Sequence, residues 1–178
     1  MKMKKLRLLL LDANVVIKLF ELDLWDAVVE KCEIILSRTV AENEVQFFYK
    51  NGLQEEIDLS SYVNQGVVAI VDVTTSDVIE FRNRFDPTYL DRLDVGETES
   101  LVYLLGTEED YLFSSGDSIV YEVLGRLNRG EQGISLEEIL QRIGYGRKLP
   151  NEYTYAFRKK WTNMGQQEFI TGIGLKKC

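Results

Sequence analysis

The chain has 178 residues, 45% of them hydrophobic, and a formal net charge of −8, which fits one globular domain with a short appendage. No apolar stretch approaches the ~18 residues of a membrane-spanning helix, and the absence of histidine removes imidazole bases, serine–histidine triads and histidine-ligated zinc. Residues 1–144 carry 14 Lys/Arg against 27 Asp/Glu and residues 145–178 carry seven against two, so an acidic body, a poor match for non-specific nucleic-acid binding, precedes a basic tail.

Met1–Lys5 is basic and precedes leucines, but Asp12 and Lys18 interrupt the apolar segment and no small-residue cleavage site follows, so no signal peptide is expected. Leu6–Leu11 reads as a buried strand and Asn14–Phe20 as a helix. Leu22–Cys32 carries the apolar stripe of a second helix, and Glu33–Leu36 is a short strand. Ser37 is placed to cap a helix over Val40–Tyr49 that ends near Asn51–Gly52; Leu53–Gln65 has no clear period and reads as an insertion or short hairpin. Val67–Val73 is a β-branched strand, Thr74–Asp77 caps a helix to about Phe85, and Asp86–Pro87 breaks it. Asp94 opens a helix through Leu105, Tyr111–Ser114 is a strand, and Asp117 opens a helix to about Asn128. Gly133–Ser135 is a candidate fifth strand and Leu136–Ile143 a last short helix. Strands alternating with helices predict an α/β fold, a three-layer α/β/α sandwich around a central parallel sheet. The cysteines, Cys32 and Cys178, form no spaced framework, so reduced thiols in a cytoplasmic protein are expected.

Four acidic residues fall where strands should end and helices begin: Asp12, Glu42, Glu97 and Asp117. A carboxylate after a buried parallel strand emerges at the carboxyl edge of the sheet, where open α/β folds bind ligands. Several carboxylates gathered there are costly unless a cation neutralises them, which points to a divalent metal site. Each also has a plainer role. Asp12, Asn14 and Asp117 can serve as helix caps, and Asp94-Val95-Gly96-Glu97 fits a capping box. Glu42 and Glu44 face nearly opposite sides of a helix, as do Glu97 and Glu99, so only one of each pair can point into a pocket and Glu44 and Glu99 are the backup ligands; Glu42 and Glu44 also suit a solvated, acidic first turn.

Leu10–Ile17, Thr39-Val40-Ala41-Glu42, Gly96–Leu101 and Phe113-Ser114-Ser115-Gly116-Asp117 occur in the order and spacing of the PIN domain, and the chain resembles that family of metal-dependent ribonucleases over roughly residues 5–130. The resemblance implies that Asp12, Glu42, Glu97 and Asp117 hold Mg2+ or Mn2+ and serve RNA phosphodiester hydrolysis, with Asn14 and Ser115 in supporting positions. Many small PIN proteins are toxins of toxin–antitoxin pairs, so an antitoxin, another protein partner or a homo-oligomer stays open, with no membrane partner. A catalytically silent module that binds RNA or protein is the alternative, and a phosphatase or DNA nuclease is a second. The domain is expected over residues 1–145, followed by a basic, aromatic extension, 146–178. Tyr145, Tyr153, Tyr155, Phe157, Trp161 and Phe169 suit nucleic-acid stacking, docking on the body or binding a partner chain, and docking is expected because so many aromatics seldom stay exposed.

Overall fold

The structure is a computed structural model that describes residues 6–172, so the basic stretch Met1–Lys5 and Cys178 lie outside the described residues. β1 (Leu6–Leu11) runs directly into α1 (Ala13–Glu21), with Asp12 as its N-cap. α2 (Trp25–Lys31) is shorter than expected: Leu22–Leu24 form the turn after α1, with Asp23 at φ 56°, and Cys32 already belongs to β2 (Cys32–Ser37).

The largest departure follows. Instead of a helix over Val40–Tyr49, a single π-turn (Val40–Glu44) is closed by the Val45 N–H donating to Val40 O at 3.0 Å. Ser37 does cap it, accepting from the Val40 N–H at 3.3 Å. The chain then forms an antiparallel hairpin, β3 (Phe47–Lys50) and β4 (Leu53–Glu56). Asn51 and Gly52 both take positive φ, 52° and 77°, the conformation that an Asn-Gly hairpin turn requires. Phe48 is buried against Phe20, with ring centroids 5.7 Å apart, while Phe47 and Tyr49 stay exposed. That period of two is a strand's, and tertiary burial of Phe48 overrides the helical reading.

α3 (Ser60–Asn64) leads to β5 (Val68–Val71) and then to α4 (Thr75–Arg82), capped by Thr74. α4 ends at Arg82, short of Phe85, and Asp86–Pro87 starts α5 (Pro87–Leu90), since proline suits a helix's first position. α6 (Val95–Gly106), β6 (Leu112–Ser114), α7 (Ser118–Arg126) and α8 (Leu136–Arg142) form close to where the sequence places them. Gly133–Ser135, expected as a fifth strand, contributes one parallel bridge, Gly133 to Phe113.

The main sheet has the order β5-β2-β1-β6, with every pair parallel. Leu9 and Leu11 point into one core with Ile34, Leu36 and residues of α1, α2 and α8. Leu10, Ile35 and Phe113 point into the other with residues of α4–α7. The fold is thus a three-layer α/β/α sandwich. Chain order reverses at β1: β2 and β5 lie on one side and β6 on the other, so the carboxyl ends of β1 and β6 flank the switch point at which such sheets bind ligands.

The tail forms α9 (Tyr155–Thr171), which packs along α7. A Cβ on Gly165 would run into the Glu122 carbonyl and one on Gly125 into the Thr162 carbonyl, so the two backbones meet through glycines. Arg158 donates two hydrogen bonds to Glu138, at 2.7 and 2.9 Å, and buried Arg126 pairs with Glu168. The tail docks, as its aromatics suggest, but unevenly: Tyr153 is buried and Phe157 and Trp161 partly so, whereas Tyr145, Tyr155 and Phe169 stay exposed. Among the described residues, no helix is long and apolar enough to cross a membrane.

Candidate functional site

Asp12 follows the buried β1 run and is itself 2% exposed. Its position is fixed from three sides. Its N–H donates to Ser114 O at 3.0 Å, which locks the ends of β1 and β6 together. Oδ1 accepts from the Ala13 N–H at 2.8 Å, and Oδ2 accepts from Ser115 Oγ at 2.9 Å. Ser115 Oγ in turn accepts from the Asp117 N–H at 2.9 Å. Asn14 Oδ1 accepts from the Gly116 N–H at 2.9 Å, so Asn14 and Ser115 both act on the 114–117 segment.

The first turn of α6 supplies the opposing wall. Asp94 and Glu97 form the expected capping box: Glu97 N–H donates to Asp94 Oδ1 at 2.7 Å, and Asp94 N–H donates to Glu97 Oε2 at 3.1 Å. That box also brings Glu97, 2% exposed, and exposed Asp94 up to Asp12, so that a carboxylate oxygen from each of the three lies within 4.8 Å of the others. Capping and clustering are therefore compatible roles of the same side chains.

Electrostatics follow from that crowding. Burial, then the Asp94 charge, pushes the Asp12 carboxyl up to about 7. Burial, then Asp12 and Asp94, pushes Glu97 up to about 9. Near neutral pH the cluster thus holds protons or needs a cation in their place.

Other expected residues are divided. Glu42 is not brought to the cluster: it lies exposed and accepts from Arg38 at 2.5 Å, because the π-turn directs it toward solvent. Glu44, the backup, is the one at the flank. Its Oε1 accepts from the Gly96 N–H at 3.2 Å, and burial, then Asp94, raises its pKa. Glu99 faces away and ties down the turn after β2, accepting from the Thr39 N–H at 3.2 Å and Thr39 Oγ1 at 2.8 Å. Asp117 caps α7 at the exposed rim, where its charge still adds to the rise at Glu97, but it is outside the close trio. Asp94 is the member that sequence reasoning left as a cap only. The capping box was the available signal, since it forces the N-cap and N3 carboxylates side by side.

The trio offers only oxygen donors, which fits a hard divalent ion such as Mg2+ or Mn2+ better than zinc. Comparisons with family models, with curated proteins and with solved structures find no match to the chain.

Proposed function

We propose that the chain is a metal-dependent endoribonuclease, in which Mg2+ or Mn2+ held at Asp12, Asp94 and Glu97 serves the hydrolysis of RNA phosphodiester bonds. The observation that carries this reading is the gathering of three carboxylates within 4.8 Å at the sheet's switch point, two of them almost out of solvent. Like charges so placed destabilise one another unless protons or a cation intervene. Asp12, Asp94 and Glu97 would hold the ion, which would supply the charge to neutralise a phosphodiester and to lower the pKa of a water toward neutral pH.

The protein's own groups do the rest. Ala13 N–H and Ser115 Oγ orient Asp12, and the capping box fixes Asp94 against Glu97. Glu44 at the flank and Asp117 at the rim add negative potential that draws a cation inward. The resemblance of the Asp12, Glu97 and Asp117 segments to PIN domains supports RNA as the substrate class. A cytoplasmic toxin with an antitoxin partner extends the same proposal.

The test is cleavage of single-stranded RNA and of DNA of the same sequence, with and without Mn2+, by the full chain and by Asp12→Asn. RNA cleavage should require Mn2+ and vanish in Asp12→Asn while the variant still folds, and millimolar Mn2+ should raise the melting temperature of the unsubstituted chain by mass action. Equal cleavage of DNA would reassign the substrate. No cleavage together with a melting temperature unmoved by Mn2+ would leave the silent binding module.

A further inference from the structure

We infer that the C-terminal segment is part of the working site: Tyr153 is a positioning residue whose ring holds the strand-end segment 114–117, and through it Ser115 and Asp12, in place. The inference rests on the reading of Asp12 as a metal ligand.

Tyr153 ends a short 3-10 turn (Asn151–Tyr153) just before α9 and is buried. Its position is anchored from behind, since the Tyr155 N–H donates to Glu137 at 2.7 Å and Arg158 forks onto Glu138. The ring lies against Gly116 so closely that a Cβ there would stand 3.0 Å from its Cε1 and 3.3 Å from Asn14 Cγ. The hydroxyl donates to Asn14 O at 3.4 Å, and Lys18 Nζ sits 5.7 Å from the ring centroid. One ring therefore touches the start of α1 and the loop that leaves β6.

Hydrogen bonds hold that loop on its other sides. Tyr121 grips Ser115 from the core side, donating to Ser115 O at 2.8 Å and accepting from its N–H at 3.2 Å. Asn14 grips Gly116, and Ser115 Oγ links Asp12 Oδ2 to the Asp117 N–H. Tyr153 closes the remaining side. The ring belongs to one of the two cores, and its edge also meets the glycine of this loop. Fixing a ligand through a neighbour that does not itself bind the ion is the usual way in which outer residues tune metal affinity.

The experiment compares full-length Tyr153→Ala, Tyr153→Phe and Glu168→Gln. The last loosens α9 at its far end, where Glu168 pairs with Arg126, without touching the loop. Three quantities are read: amide hydrogen exchange of residues 114–117, the Mn2+ midpoint from melting curves, and kcat and KM for RNA. Tyr153→Ala should speed exchange of the segment by about tenfold or more, weaken Mn2+ binding and lower kcat with KM little changed. Tyr153→Phe keeps the ring and should restore all three. Glu168→Gln should lower the melting temperature and leave the loop protected. If Tyr153→Ala does not fold, Tyr153→Leu, which keeps apolar volume in the core but removes the ring edge that meets Gly116, takes its place with the same expectations. Unchanged exchange and an unchanged Mn2+ midpoint overturn the inference, as does Glu168→Gln reproducing both effects. Should the unsubstituted chain neither bind Mn2+ nor cut RNA, the metal reading fails, and exchange at 114–117 alone decides whether Tyr153 positions the segment.

Discussion

A side chain at position 96 would fill the space now taken by the Glu44 carboxylate and by Val40 Cγ2, the latter 2.7 Å from where a Cβ would stand. Glycine there lets the turn after β2 close onto the first turn of α6, where backbone N–H groups lack intrahelical partners. Glu44 Oε1 satisfies the Gly96 N–H, while Oε2 is buried without a hydrogen-bond partner among the described residues. An orphaned, buried carboxylate oxygen beside Asp94 would strengthen the field on a cation held by the trio, whereas Glu42 is already matched by Arg38 in solvent. Glu44→Gln should therefore weaken Mn2+ binding by about tenfold, the lower end of what outer groups cost, and Glu42→Gln should leave it unchanged. Titration of the melting temperature with Mn2+ measures both, and the opposite ranking would return Glu42 to the site. Asp12 was legible in the sequence because a buried run had to deliver it to the sheet edge; Glu97 was singled out by the resemblance of Gly96–Leu101, and its capping box, the plainer reading, is what holds it beside Asp94. The choice between Glu42 and Glu44 was not, since it depends on a π-turn closed by one bond, Val45 N–H to Val40 O, that no local pattern announces.

At the scale of elements, hydrophobic period and capping residues located most helices and strands, and the failures share a cause. Val40–Tyr49 reads as a helix because Ser37 offers a cap before it and Asn51–Gly52 a stop after it; Asn51–Gly52 is instead a hairpin turn. α9 is not foreseen in the sequence, where the tail reads only as a basic, aromatic extension, and Gly165 finds its reason once α7 lies against it. A Cβ at Gly165 would meet the backbone carbonyl of Glu122, which has no rotamer to escape into. Gly165→Ala gains about 1 kcal/mol in helix propensity but overpacks a backbone contact, an effect worth about 1–3 kcal/mol. Because the clash is with the main chain of α7, loss should win, with a net destabilisation of up to about 2 kcal/mol. A urea midpoint lowered at constant slope checks it. A midpoint that rises would show that the helices can part without cost.

For the molecule as a whole, the acidic cluster sets how stability responds to pH. Burial and mutual repulsion raise Asp12 to about 7 and Glu97 to about 9, and push Glu44 upward. The folded chain thus keeps protons that the unfolded chain releases above its ordinary carboxyl range. These groups contribute most to stability below about pH 4, and that contribution is lost as pH rises toward 9, at up to about 1.4 kcal/mol per pH unit for each proton. Glu138 acts in the other direction. Burial alone would raise it, but Arg158 and Ser135 hold it low, so its contribution is present above the ordinary glutamate range and lost in acid. The two windows do not overlap, and between pH 5 and 9 the cluster governs. In EDTA, the melting temperature should therefore fall steadily across that range. Asp12→Asn removes one of the crowded charges, so its curve should be flatter and should lie above that of the unsubstituted chain near pH 8. Millimolar Mn2+ should flatten the unsubstituted curve from the other side, because a cation takes over the neutralising role of the protons, and its stabilisation should grow with pH as the sites deprotonate. A melting temperature that climbs from pH 5 to 9 in EDTA would mean that the carboxylates are already neutralised within the fold, and the case for a cation at the switch point would fall with it.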